Sequence, residues 1–304
     1  MSALRQTLLW CLATVLAAAW SCSNPVAESH PLRQSYHDLP AWSSRDIVAY
    51  VATGYYVDED TGEQSYSPDR CGIWAISLEN RIAHRLVRYA VSPSWTADGL
   101  RLTYELGYQI WTCEADGSSR RQLTFDGRNG LPDWHPDGRT LAWTRSCGDE
   151  RGVWVGDAET GESYLAIPVG GQSDWWPDGE SIVYVGWRDG VQGVFRRNLS
   201  DGSDTALYLE RETTCGFPKV SPQGTLIAFS RGDSEGNTQI WIMDADGSNL
   251  RCFTSRGGNW PSWSPDGSKL VYTRTNHRSD HPAFGVLWVS DVVSGESYQL
   301  TYEQ

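Results

Sequence analysis

One phrase returns six times along this chain: an aromatic at the end of a short strand, a Pro-Asp-Gly-type turn, an apolar strand and a second aromatic strand. It is clearest at 263–274, WSPDGSKLVYTR, and at 134–145, WHPDGRTLAWTR. Weaker copies start at Trp95, Trp175 and Val220, and a sixth from Ala41 keeps the pattern with its turn eroded. A second register runs in step with the first. Ile73-Trp74, Ile110-Trp111, Val153-Trp154, Val194-Phe195, Ile240-Trp241 and Leu287-Trp288 follow the six copies, their aromatics 37, 43, 41, 46 and 47 residues apart. That period suits a unit of four strands and is too long for leucine-rich, ankyrin or tetratricopeptide units.

A lone four-stranded sheet cannot bury both faces, so neighbouring copies must stack. Radial stacking hides both faces of each sheet and leaves only short edges. The fold class expected is therefore all-β, a six-bladed β-propeller of four-stranded antiparallel blades over 39–304, with no helix required. In the last blade the pattern predicts strand A at 260–264, B at 269–274, C at 285–291 and D at 297–302. The Asp-Gly pairs at 116–117, 201–202 and 246–247 fall at the C-to-D corners, where Asp can hold the backbone and Gly accepts a positive φ. The 16 Trp residues in 304 serve as wedge-fillers on this reading, with the six strand-C aromatics buried between blades. Ring closure has no obvious borrowed strand, and 33–38 is the segment available to add an outer one.

The motif W-S-P-D-G before an apolar strand, then Ile-Trp-x-x-Asp-Ala-Asp-Gly-Ser, together with Gln-Leu-Thr, resembles the WD40-like PD40 repeat of TolB-like six-bladed propellers. The resemblance covers roughly 40–304 and implies the fold more strongly than an activity. Prolyl-oligopeptidase-type enzymes carry similar propellers, but no G-x-S-x-G elbow occurs in this chain.

Residues 1–22 are of another kind. Arg5 precedes an apolar run from Leu8 to Trp20, and Ala19-Trp20-Ser21-Cys22 resembles a bacterial lipobox. The reading is an export signal with Cys22 as the acylated residue, followed by a polar tether over 23–38. An ordinary cleaved signal peptide is the alternative. A periplasmic or envelope location follows, with the protein held to the membrane by lipid.

The formal net charge is −13, with no basic stripe, which sets nucleic acid aside as a partner. Five cysteines remain in the body once Cys11 and Cys22 are set aside. Their odd number and irregular spacing do not make a disulfide framework, although Cys147 and Cys215 fall on one face and could bridge.

In such a disc the B–C and D–A loops share one face. The tight corners repeat on the other face, while the B–C loops vary, as recognition loops on a fixed scaffold do. The long loops are 53–72 in blade 1, carrying Tyr55, Tyr56, Asp58 and Asp60, and 275–285 in blade 6, carrying His277 and His281. Arg145, Arg188, Arg231 and Arg274 end strand B in four blades. They form either a cationic ring for carboxylates or local salt bridges to loop acids such as Asp149, Asp189, Asp233 and Asp280. His277 and His281 are read as solvated loop residues rather than metal ligands, and no cofactor is expected. No nucleophile, base and orienter occur together. The expected function is a non-catalytic, monomeric propeller that binds an envelope protein or peptide through the loop face. A carbohydrate-binding or glycan-active propeller using the channel mouth is the competing reading.

Overall fold

The computed structural model describes residues 32–57, 64–276 and 284–302. They form six separate four-stranded antiparallel sheets, each with its strands in chain order from A to D. Strand and turn account for the described residues without a helix. In blade 6 the strands run Asn259–Trp263, Lys269–Asn276, Phe284–Asp291 and Ser297–Gln299, within a residue or two of the pattern except that strand D is shorter. Chemistry at the corners explains why the chain reverses there. Asp98, Asp137, Asp178 and Asp266 each accept a backbone N–H two residues ahead, at 2.7–3.0 Å. The glycines that follow them take φ from +66° to +74°.

The C-to-D glycines Gly117, Gly202 and Gly247 also have positive φ, yet they are not equivalent. A Cβ on Gly117 would stand 2.7 Å from the Leu86 carbonyl of the preceding blade, and one on Gly247 would stand 2.4 Å from Leu207 O, while Gly202 faces open space. Gly202→Ala should therefore cost only the left-handed backbone penalty, about 1 kcal/mol. Gly117→Ala should cost at least about 2 kcal/mol, because a blade-to-blade contact must also give. Urea melts of the two variants check this, and equal losses would show that the inter-blade approach is unimportant.

The core is divided like the disc. Six clusters of buried apolar side chains lie one at each seam, from the blade 1–2 cluster around Val51, Leu102 and Tyr104 to the blade 6–1 cluster around Val48, Tyr50, Val271 and Leu287. The ring thus closes by the same lateral packing that joins its other blades. Polar contacts add to that seam: His37 Nδ1 lies 2.9 Å from Thr301 Oγ1, Thr273 Oγ1 donates to His37 O, and the Trp42 N–H donates to Ser262 Oγ. The segment 33–38 is not an outer strand. It lengthens the innermost strand of blade 1, which runs Leu32–Trp42 and pairs only with strand B.

The Gln-Leu-Thr element, which blade 5 replaces by Cys252-Phe253-Thr254, also has a mechanical use. Thr124, Thr254 and Thr301 turn their hydroxyls to accept the N–H of Ile110, Ile240 and Leu287 at 2.9–3.0 Å, satisfying strand C where strand D has stopped pairing.

The strand-C aromatics are less hidden than expected. Phe195 is buried, but Trp74, Trp111, Trp154, Trp241 and Trp288 are half-buried, for a reason that bears on the loop face.

Candidate functional site

The channel is built from one tetrapeptide repeated six times: Leu39-Pro-Ala-Trp, Ser92-Pro-Ser-Trp, Leu131-Pro-Asp-Trp, Gln172-Ser-Asp-Trp, Phe217-Pro-Lys-Val and Trp260-Pro-Ser-Trp. Its first residue has φ between +46° and +54° in every blade. At the same point the A–B register slips, as between Val91 and Ser94 or between Asn259 and Ser262. Left-handed backbone in six bulky or polar residues stores strain on the order of 1–3 kcal/mol each, which only a surrounding scaffold can hold. The bulge turns these side chains and the prolines into a belt around the axis, leaving a cavity of about 70 Å³. Ligand pockets usually offer roughly 300 Å³ or more. The belt admits water and is too tight for a sugar. The tetrapeptide was legible in the sequence, where Trp was noted but the proline two residues before it was not.

Its third residue links the blades. Asp133 accepts the Trp175 N–H at 3.3 Å, Asp174 accepts the Val220 N–H at 2.7 Å and Ser262 accepts the Trp42 N–H at 3.1 Å, so each reaches the inner strand of the next blade. Ser94 joins by donating to Asp133 at 2.9 Å. Lys219 places one ammonium between two carboxylates, 2.6 Å from Asp174 and 3.2 Å from Asp133. Burial raises Asp174 above the usual carboxylate range, and Lys219 opposes that rise. For Lys219 burial acts to strip the proton, but the two aspartates outweigh it and hold the side chain protonated. This trio fastens blades 3, 4 and 5; every strong group in it is already paired.

On the loop face, Tyr55 and Tyr56 lie in a strand rather than a loop. Strand B of blade 1 runs Ile47–Val57 and strand C runs Gln64–Ser77, with Tyr55 opposite Tyr66 and Tyr56 opposite Ser65. The presumed loop 53–72 is thus largely a paired hairpin. Asp58, Asp60, His277 and His281 lie outside the described residues.

The four arginines do not converge. Each folds onto the strand-C aromatic of its own blade: Arg145 over Trp154 at 4.0 Å, Arg188 over Phe195 at 5.1 Å, Arg231 over Trp241 at 4.4 Å and Arg274 over Trp288 at 4.6 Å. Such cation–π lids explain how a half-exposed indole is tolerated. Their ion pairs also differ from expectation. Arg145 meets Asp126 and Glu150, and Arg231 meets Glu210 at 2.6 Å while donating to Tyr208 Oη at 2.7 Å. Arg274 donates to the Arg256 carbonyl at 3.0 Å. Arg145 pairs with Glu150 of its own loop, neighbouring elements supply the partners given for Arg231 and Arg274, and Asp280 lies outside the described residues.

Apolar groups are exposed on this face, among them Phe125, 78% exposed, with Val169, Leu209 and Trp187, and on the corner face too, where Val293 is 95% exposed. Cys147 and Cys215 are both free, the first exposed and the second buried, so the bridge considered between them does not form. Among the described residues no three His, Cys, Asp or Glu side chains are grouped to hold a metal.

Comparison with known proteins agrees with this architecture. The TolB beta propeller domain family, PD40, matches residues 56–292. An uncharacterised protein of Agrobacterium fabrum is 36% identical over 202 residues, covering 61% of this chain and 69% of its own. The Tol-Pal system protein TolB of Francisella tularensis is 24% identical over 200 residues; the match takes in 62% of this chain but 46% of that protein, so less than half of it is represented. Among solved structures, the putative TolB from Agrobacterium tumefaciens superposes with a TM-score of 0.66 at 23% identity, covering 76% of this chain and 87% of the other, a likeness of fold.

Proposed function

The chain belongs to the TolB β-propeller family, and from that premise we propose that it is an exported, lipid-anchored binding propeller of the bacterial envelope. It captures an envelope protein or peptide on the face that carries the B–C and D–A loops. The observation that carries this reading is the asymmetry of that face. Strands B and C of blade 1, 11 and 14 residues long, outgrow those of the other blades; blades 4 and 6 both have 8 and 8, but from the start of strand B to the end of strand C blade 6, at Lys269–Asp291, is the second longest after blade 1. Blades 1 and 6 are neighbours across the closing seam, so the two longest B–C hairpins stand side by side. Apolar side chains exposed on the same face suit a protein surface, where aromatic anchors supply most of the binding energy. The naming of relatives as Tol-Pal system proteins supports an envelope setting. The tight channel belt gives no support to the glycan alternative.

Replacing residues 58–63 by a two-residue Asn-Gly turn, and separately Phe125→Ala with Trp187→Ala, should lower capture of an envelope protein in pull-downs at least tenfold. Thermal midpoints should move by less than a few degrees, because Phe125 and Trp187 are in no seam cluster and the turn replaces a hairpin tip. In the same extracts, wild type should label with palmitate and sediment with membranes, and Cys22→Ala should do neither. Undiminished capture by both loop-face variants would place the functional surface elsewhere.

A further inference from the structure

The seam between blades 6 and 1 encloses a cavity of about 460 Å³, whereas the corresponding seam between blades 2 and 3 encloses about 140 Å³. Register explains the difference. Tyr50 faces Trp74 across strands B and C as Trp143 faces Trp154, so Ala52 stands where blade 3 has Arg145 and Arg81 stands where it has Gly161. In blade 3 the guanidinium of Arg145 lies flat on Trp154. In blade 1 no strand-B side chain can do so, and the nearest guanidinium, Arg85 from strand D, is 5.9 Å from the Trp74 ring. Blades 3 to 6 each place an arginine over this ring, and blade 1, like blade 2 with Leu106 at the same position, does not.

Charge decides what kind of group fits. Arg81 lies 4.8 Å over the Tyr298 ring at one end of the cavity and makes no ion pair among the described residues, and the described residues of the wall include no carboxylate. His37, in the same wall, stays neutral because burial, and then Arg70, lower it to about 4. A second cation would be repelled here, whereas a carboxylate would be attracted.

We propose that the blade 6–1 seam is a binding groove for a short peptide bearing an aromatic side chain next to a carboxylate, the ring lying on Trp74 and the carboxylate meeting Arg81. The volume falls in the range of small-ligand pockets, and the filled blade 2–3 seam does not. This groove shares Arg70 with the blade 1 hairpin but is otherwise formed at the seam, so it stands whether or not the loop face captures a protein.

The probe is N-acetyl-L-phenylalanine, with N-acetyl-L-phenylalaninamide as its neutral counterpart, titrated into the full chain by calorimetry and by shifts of the indole N–H resonances. The acid should bind at least tenfold more tightly than the amide. Arg81→Gly should reduce the acid to the level of the amide without loss of fold, since Arg81 has φ +61° and the equivalent Gly161 has φ +77°. Ala52→Arg should fill the groove and abolish binding of both, leaving loop-face capture as in wild type. Equal binding of acid and amide, an unchanged Arg81→Gly variant, tighter binding of glucuronate, or no saturable binding would each overturn the proposal.

Discussion

Raising the pH from about 6.5 to about 9 is expected to destabilise this protein, and the double variant Asp38→Asn with Glu105→Gln should lose markedly less, the remainder resting with Asp174, which burial also raises. Asp38 on strand A of blade 1 and Glu105 on strand B of blade 2 are buried without an ion pair among the described residues, and Asp38 Oδ1 has no hydrogen-bond partner among them. Burial pushes each carboxyl up to about 8. In the unfolded chain both ionise near 4. Between those values the folded state holds protons that the unfolded state has released, so stability falls as pH rises through the window and levels off above it. A loss on the order of 2–4 kcal/mol is expected, below the linkage ceiling of about 1.4 kcal/mol per unit per group because water reaches buried sites in part. The corner carboxylate Asp266 does not confuse the test. Hydrogen bonds from Ser264 and Ser268 hold it down to about 2, so its contribution is lost only as pH falls below about 4. Urea midpoints across the window measure the effect. A flat wild-type profile would show that both groups are solvated.

Lys219→Met should cost about 3 kcal/mol or more at pH 8, the second large effect. The ammonium is the sole cation hydrogen-bonded to Asp133 and Asp174 among the described residues, and removing one partner of a buried pair leaves charge uncompensated. Protons can take over part of its role, so the penalty should shrink by at least half at pH 5, where one carboxyl becomes neutral. Asp133→Asn in the Lys219→Met background should recover stability at pH 8. A variant as stable as wild type at pH 8 would mean that the backbone N–H of Val220 and of Trp175 suffice for these carboxylates.

How much of this was legible in the residues differs from feature to feature. The Asp-Gly corners were readable because a positive φ and an Asx-type hydrogen bond are local demands, answered by residues two positions apart. The strand-B arginines were readable as recurrent but not as lids. Their partners are strand-C aromatics in register across a hairpin, and carboxylates such as Asp126 and Glu210 that precede the blade in sequence. The Pro that five of the six inner strands carry was present in the residues and overlooked, because a proline inside a strand reads as a breaker until the bulge that accommodates it is seen.

The sequence alone determined the blade count, the strand order within each blade and the chemistry of the corners, since all three depend on spacing within some fifty residues. Only the tertiary structure decided how the ring closes, that 33–38 joins the innermost strand, that one lysine fastens three blades and that the last seam is looser than an equivalent one. Those features join residues as far apart as His37 and Thr301. Such contacts depend on how the wedge of each seam is filled, so changes as small as Ala52 for Arg145 are invisible in the repeat pattern and decisive in the folded disc.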